Sequence, residues 1–354
     1  MSEKTIAESA LPAVSVIIVN WNGLKYLETC LRSLESLDYP ADKLEVIVVD
    51  NNSSDGSVQY MQENFPRVAL SLLDGNYGFC APNNDGASIA RGEYLVFLNN
   101  DTEVTPGWLR ALVQPALEDS EVVSCASKML YYDRRDTINT AGGKITIIGG
   151  GFYRGYGALD GPLYDRPGYT GFGCAAGALV KKDFFLSIGG FDEEYFAACE
   201  EHDLGWKAWL YGYKVAYAPG AVMYHMESAT FGTRSNAAPD KVFLNTRNRL
   251  FNIVKNLDAG NVLRALLISA CFNFYRGCSY FFTGRFAAAG ALIRAQFNFL
   301  KYLGSMLKKR KIVQARRRRT DKELYRLGVI ATFRESLEEE RLLRLLAKDS
   351  YYKA

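Results

Sequence analysis

Several common signatures are missing from this 354-residue chain. Its seven cysteines (Cys30, Cys80, Cys125, Cys174, Cys199, Cys271 and Cys278) form no C-x-x-C pair. That argues against a zinc site or a disulfide framework and for free thiols in a reducing compartment. There is no G-x-x-x-x-G-K-[ST] loop, and residues 14–22 lack the glycines of a dinucleotide turn. The one near match, Gly171 to Ala176, lies far downstream of the first strand, so a bound diphosphate needs some neutraliser other than a glycine cradle. No charge-free run reaches 18 residues, which favours interfacial binding over a membrane-spanning helix. Residues 1–13 carry Glu3 and Glu8 and lack the basic start and apolar stretch of a secretion signal. They are expected to be a flexible tail ahead of a cytoplasmic protein. Histidine is scarce, with only His202 and His225.

What is present is a chain able to bury a large core, 48% hydrophobic and 23% charged with a net charge of +3. Residues 14–20 (VSVIIVN) read as a buried strand, and Leu24, Leu27, Leu31 and Leu34 follow at helical spacing until Pro40. Residues 44–49 form a second strand ending on Asp50, 57–65 a helix and 68–73 a third strand. Next come a helix over 79–91 capped by Gly92 and a strand over 94–98 that ends in Asn99-Asn100-Asp101. Strand and helix alternate with short links, as in an α/β fold with a mostly parallel sheet. Asp50 and Asp101 then stand at the carboxyl ends of strands, where such sheets bind ligands.

A lone carboxylate among amides suits Mg²⁺ or Mn²⁺, which can take their remaining ligands from substrate phosphates. A plain polar turn is the alternative reading of the same residues. Asp50 is either an Asx-turn residue or a contact to a base or ribose. A helix (108–117), a strand (122–126), a long excursion (131–167) and a stretch of small residues around Gly177 follow. Small residues there permit close backbone approach to a ligand.

The second chemical cluster is Glu200-Glu201-His202-Asp203, at the start of a helix running to Gly212. Crowded carboxylates raise at least one pKa and suit a general base, although acids also favour first helical turns for dipole reasons. Trp206 and Trp209 either stack on acceptor sugar faces or pack the helix. Two short strands, 214–218 and 221–224, lead to His225 at a strand end, where a neutral imidazole can serve a metal.

Between residues 255 and 320 there are fourteen Lys and Arg and one acid, Asp258. Leu292, Phe299, Leu303 and Met306 share one helical face, and Arg294, Asn298, Lys301, Ser305 and Lys308 another. This pattern fits an anionic membrane surface contacted through residues 262–319. A duplex nucleic acid would leave the aromatics without a use. The other reading is a helical subdomain that packs on the sheet or on a second copy in a homo-oligomer. Thr320-x-x-Glu323 is a capping box for a last helix reaching about residue 346.

Seven blocks in order resemble the inverting family 2 glycosyltransferases: VSVIIVNWN (14–22), VVDNNSSDGS (48–57), NYGFCAPNN (76–84), FLNNDTEV (97–104), GGFDEEYF (189–196), EEHDLGWK (200–207) and YHMESAT (224–230). TRNRLFNIVKN (246–256) resembles the tail of the rhamnosyltransferase-like branch. The resemblance implies a GT-A fold over residues 14–257 and a basic, membrane-associating helical region over 258–354. It also implies a nucleotide-sugar donor held by Val19, Asn20, Asn22, Asp50, Asn76, Asn83, Asn99 and Asn100. Mg²⁺ or Mn²⁺ would sit on Asp101, with His225 as a late ligand. Asn99 replaces the first Asp of the family's D-x-D. The catalytic base falls on Glu201, where the family has Asp, with Asp203 as the fallback. Gly177, Glu200 and Trp206 would meet a glycan or polyprenyl-linked glycan acceptor. The rival readings are a non-catalytic nucleotide-sugar or partner binder and a sugar nucleotidyltransferase.

Overall fold

The computed structural model describes residues 8–226, 237–332, 334–336 and 338. In chain order the elements begin with β1 (Val14–Asn20), α1 (Leu24–Glu35), β2 (Leu44–Asp50), α2 (Ser57–Asn64), β3 (Ala69–Leu72), α3 (Cys80–Ile89), β4 (Tyr94–Asn99) and β5 (Thr102–Val104). Then come α4 (Trp108–Glu118), β6 (Val122–Tyr131), β7 (Ile138–Ala141), β8 (Gly143–Ile145), β9 (Gly151–Tyr153), β10 (Gly168–Tyr169) and β11 (Gly177–Lys181). The last are α5 (Lys182–Ser187), α6 (Glu200–Leu210), β12 (Lys214–His225), α7 (Pro239–Asn256), α8 (Ala259–Phe282), α9 (Phe286–Ala315) and α10 (Asp321–Arg326).

The chain divides into two units interleaved in sequence. The first comprises residues 1–142, 153–196 and 214–229, and the second residues 143–152, 197–213 and 230–354. The helices α6 and α7, expected within the catalytic domain, therefore group with the C-terminal helices.

The first unit is built on a ten-stranded sheet with the order β10-β12-β6-β11-β4-β1-β2-β3, β5 and β7 pairing at its side. β4, β1, β2 and β3 run parallel, but β11 is antiparallel to both β4 and β6. The sheet is mixed, not mostly parallel, because the chain returns through β11 without a crossover in the reverse sense. Alternation along the strands sends Val16, Ile18, Val96 and Leu98 into the core shared with α1 and α4. Phe97 points the other way and meets Phe185 (4.9 Å) and Phe191 (4.7 Å). Phe191 of the GGFDEEYF block is thus a core wedge.

Local details depart from the expectations for physical reasons. Helix α3 stops at Ile89, with Ala90 already extended, so Gly92 is not its cap. A Cβ at Gly92 would lie 2.5 Å from the Ser15 nitrogen, so glycine is needed for close backbone approach. The two strands expected near 214–224 are one, β12, broken in register between Ala218 and Val222, where Pro219 lacks a ladder donor. In the 131–167 excursion β7 pairs with β6, and Lys128 holds Asp160 and Asp165, each at 2.7 Å. The supposed N-terminal tail is pinned from residue 8 onward: Lys43 Nζ donates to the Glu8, Ser9 and Leu11 carbonyls, and the Tyr39 hydroxyl to Pro12 O. Residues 1–7 lie outside the described residues.

In the second unit α7 packs on α9, where Phe251 meets Phe299 (6.3 Å) and Tyr302 (5.8 Å). The apolar face that the sequence assigned to a membrane is used here instead: Leu292, Phe299 and Met306 are buried. Part of the basic run is also internal. Arg310 donates to the Val254 and Leu257 carbonyls at the end of α7 (2.6 and 2.7 Å), and Arg319 to Gly212 and Tyr213 beyond α6 (2.7 and 2.6 Å). Both satisfy carbonyls that a helix end leaves open. Arg317 pairs with Asp258 at 2.9 Å and Asp321 at 3.2 Å. The Thr320–Glu323 capping box forms, but α10 ends at Arg326 with Gly328 at φ +71°. Residues 339–346 of the expected last helix, like the rest of the chain to 354, lie outside the described residues. Among the described residues no helix is long and apolar enough to cross a membrane.

Candidate active site

On the first unit the parallel register places Asn20 beside Asp50 and Val19 beside Asn99 at the carboxyl ends of β1, β2 and β4. Their side chains are linked. Asn100 Nδ2 donates to Asn20 Oδ1 (2.8 Å), and Asn20 Nδ2 to Asp50 Oδ1 (3.0 Å) and Ser53 Oγ (3.1 Å). The Ser53 amide donates to Asp50 Oδ2 (2.8 Å). Asp50 is thus both buried and the anchor of an Asx turn. Gly23 closes this edge, since a Cβ there would lie 2.1 Å from Asn100 Nδ2.

Three more of the expected donor contacts shape backbone. Asn22 sits at φ +51° and accepts from the Ser54 amide. Asn76 accepts from the Gly78 amide (2.9 Å), and Asn83 donates to Phe79 O (2.7 Å). Asp55, not singled out in the sequence, accepts from the Leu24 and Ser57 amides and the Ser57 hydroxyl, serving the starts of α1 and α2. Burial pushes its pKa up, but those bonds outweigh it and hold the carboxyl below the usual range. Trp21 and Tyr77 were also missed. They follow β1 and β3 and are about half exposed (47% and 49%), as aromatics free to stack on a planar ligand are.

Asp101 and His225 meet at the same sheet edge because β5 pairs with β12, setting Thr102 opposite His225. Asp101 Oδ1 lies 3.3 Å from His225 Nε2, and the Asn99 amide nitrogen lies 3.4 Å from the same Nε2. A carboxylate oxygen and an imidazole nitrogen at this separation fit one cation bonded at about 2.1 Å, and the Asn99 oxygen and nitrogen are interchangeable in assignment. Among the described residues no cluster of three His, Cys, Asp or Glu side chains could hold a metal. Among the described residues the pair therefore leaves a cation's remaining coordination positions to ligands other than these side chains. Residues 227–230 of the YHMESAT block lie outside the described residues. None of the seven cysteines is in a disulfide. Burial pushes the Cys30 thiol beneath this site up to about 12, which leaves it unreactive.

On the second unit α6 starts from a strained approach, with Ala198 and Cys199 at φ +72° and +68°. Non-glycine residues there cost on the order of 1 kcal/mol each. The conformation is held by one face of α7. Asn248 Nδ2 donates to the Ala197 and Ala198 carbonyls (2.8 and 2.7 Å), and Asn252 Nδ2 to Gly149 O (2.8 Å) and Cys199 O (3.3 Å). The TRNRLFNIVKN block thus aims the acidic helix. Asn248→Ala should cost about 1–3 kcal/mol, as two buried carbonyls lose their donor; a denaturation midpoint matching wild type would contradict this.

The acids divide into a pair and a singleton. Burial first, and then the Glu201 charge, push the Glu200 carboxyl well above the usual carboxylate range. His202 Nε2 lies 3.7 Å from Glu201 Oε1. Burial lowers the His202 pKa with help from Arg249 and against Glu201, which keeps the imidazole neutral. Asp203 does not share the crowding. Burial raises its pKa, but Lys207 (2.7 Å), Lys255 (2.9 Å) and Asn256 (2.8 Å) outweigh it and hold the carboxyl below its usual value. A carboxylate so engaged makes a poor base, which leaves Glu201 as the candidate. Trp206 is fully buried and offers no face for stacking on a sugar. A Cβ on Gly177 would meet the Met223 sulfur at 2.1 Å, so its small size serves core packing. The Asp203–Lys207 pair was readable from its i,i+4 spacing; Lys255 and Asn256, about fifty residues on, gave no such signal.

Residues 15–183 match the family model described as Glycosyl transferase family 2. Over 239 residues, 65% of this chain, the sequence is 30% identical to O-antigen biosynthesis protein RfbC of Myxococcus xanthus, of which the chain spans only 18%. It is 25% identical over 245 residues to the N-acetylglucosaminyl-diphospho-decaprenol L-rhamnosyltransferase of Mycobacterium tuberculosis, covering 61% of this chain and 77% of that protein. In shape it is similar to GalNAc-T7, crystallised with UDP, GalNAc and Mn²⁺. The TM-score is 0.58 at 17% identity, over 71% of this chain and 49% of that one, a likeness that speaks to the fold alone. Together these findings show a sequence similar to family 2 glycosyltransferases on a GT-A-like mixed α/β sheet.

Proposed function

We propose that this chain transfers a sugar from a nucleoside-diphosphate sugar to a hydroxyl of a glycan or polyprenyl-linked glycan, with inversion at the anomeric carbon. The observation that carries the reading is the Asp101–His225 pair, 3.3 Å apart at a sheet edge next to the Asn20–Asp50–Asn100 network. Asp101, His225 and Asn99 would hold Mg²⁺ or Mn²⁺, which when bound supplies positive charge to the departing diphosphate. Asn20, Asp50 and Asn100 form the floor on which the nucleoside rests, and Trp21 and Tyr77 offer it stacking faces. Glu201 takes the proton as the acceptor O–H bond breaks. The acceptor oxygen then bonds to the anomeric carbon while the bond to the diphosphate oxygen breaks, its electron pair leaving with the nucleotide. Asn248 and Asn252 position Glu201 by fixing the turn before α6.

The decaprenol-linked rhamnosyltransferase among the relatives makes dTDP-rhamnose the first donor to try and a polyprenyl diphosphate glycan the first acceptor, in cell-surface polysaccharide synthesis at the cytoplasmic face of a membrane. Asp101→Ala should weaken donor binding in Mn²⁺ by about tenfold or more, as loss of a metal ligand or its support does, with little change when Mn²⁺ is omitted. Calorimetric titrations that superimpose with wild type under both conditions would remove the metal site.

A further inference from the structure

The helical hairpin formed by α8 and α9 buries one side and leaves an ordered apolar stripe on the other. On α8 the exposed large residues Leu263, Leu267, Phe274 and Phe281 fall at spacings of four, seven and seven. On α9 they are Phe286, Ile293, Phe297 and Leu300, at spacings of seven, four and three. Each spacing returns to the same helical face. The stripes meet at the turn, where Phe281, Phe282 and Phe286 are 59%, 84% and 63% exposed. Phe281 lies 5.8 Å from Phe282 and 5.4 Å from Phe286, edge to face.

The turn is built to tolerate an apolar medium. The amides of Thr283, Gly284 and Arg285 donate to the Ser279, Phe281 and Tyr280 carbonyls at 3.0, 3.1 and 2.8 Å. The Thr283 hydroxyl donates to Ser279 O at 2.7 Å. Gly284, at φ +72°, supplies the left-handed residue that closes the turn. Backbone donors satisfied within the segment are what a lipid environment requires. Exposed cations flank the stripe, Arg264, Arg285, Arg294 and Lys301 each standing next to one of its apolar residues. No Asp or Glu occurs between Asp258 and Asp321.

We propose that this hairpin docks on an anionic bilayer, with the Phe281–Phe282–Phe286 knuckle inserted below the headgroups and the flanking cations on lipid phosphates. The proposal deepens the membrane part of the reading above and does not rest on the transfer chemistry. Charge complementarity decides the occupant. A second copy would bring the same cations against themselves, and a nucleic acid would use the cations but leave three phenylalanines in water. Long cationic side chains beside an inserted apolar residue reach back to the phosphates.

The test is co-sedimentation of the full chain with vesicles of phosphatidylcholine alone or mixed equally with phosphatidylglycerol, in about 0.1 M salt, where screening is moderate. The chain should partition at least about tenfold more strongly onto the mixed vesicles. The triple variant Phe281→Ser, Phe282→Ser, Phe286→Ser should lose about tenfold or more of that binding, its circular dichroism and donor hydrolysis in vesicle-free buffer being unchanged. In a separate variant, Phe282→Trp, added emission should shift blue on mixed vesicles and be quenched by brominated acyl chains. Absence of binding to mixed vesicles, equal binding by the triple variant, or a dimer in sedimentation equilibrium that the triple variant abolishes would each overturn the proposal. Retained donor hydrolysis with lost vesicle binding leaves the glycosyltransferase reading intact; lost hydrolysis in the wild type with vesicle binding intact counts against that reading alone.

Discussion

Replacing Glu201 by Gln should lower turnover about 10²–10⁴-fold, the usual contribution of a positioned general base, while donor affinity stays within about twofold. The substitution keeps the shape and removes the proton acceptor. It also removes a charge that helps raise the Glu200 pKa, which should then fall toward its ordinary value. Glu200→Gln is therefore the companion variant: it mimics the protonated form the structure favours and should retain most activity. A Glu200→Gln enzyme as inactive as Glu201→Gln would reverse the roles of the two carboxylates. Comparing single-turnover rates with donor dissociation constants separates the chemical step from binding.

Removing the Asp203 carboxylate should have the largest effect on stability. Asp203→Ala leaves Lys207 and Lys255, both buried, without their common anion. Breaking a buried pair in this way costs about 3–5 kcal/mol. Because the folded pKa of Asp203 is depressed, its contribution is present above the unfolded value near pH 4 and is lost as the pH falls through the lower folded value. The gap in urea midpoint between wild type and Asp203→Ala should therefore be constant above about pH 5 and close toward strongly acidic pH. Glu200 has the opposite sign. Its raised pKa means that its contribution is fully present below the unfolded value and is lost as the pH rises through the folded one. Lys255→Met combined with Asp203→Ala should cost less than the sum of the single changes, since the two share one interaction. Additive losses would mean that the residues act separately.

Much of the first unit could be read from the sequence because its signals are local. Hydrophobic runs of four or five residues mark β1, β2 and β4, and the Leu24-Leu27-Leu31-Leu34 spacing marks α1. The reversal at β11 was not legible, because strand direction depends on a partner and not on the strand's own residues. The Asn99–Asp101 tip and His225 could each be named, but their meeting depends on the pairing of β5 with β12. For the acids, crowding pointed to a perturbed carboxylate, and Glu200 is one. The lysine that takes Asp203 out of contention comes from α7, 52 residues downstream. In the basic tail, composition marked cations and aromatics without separating those that close helix ends, such as Arg310 and Arg319, from those left on the surface, such as Arg285 and Arg294.

Release of nucleoside diphosphate by the purified chain tests the transferase assignment most directly. With Mn²⁺ and dTDP-, UDP- and GDP-linked sugars offered separately, alone and with a polyprenyl diphosphate glycan, one donor should yield its nucleoside diphosphate. The yield should fall on chelation and on Glu201→Gln. Silence with every donor, or release undiminished by Glu201→Gln, would contradict the assignment, the first pointing to a nucleotide-sugar binder without catalysis and the second to a base elsewhere in the chain.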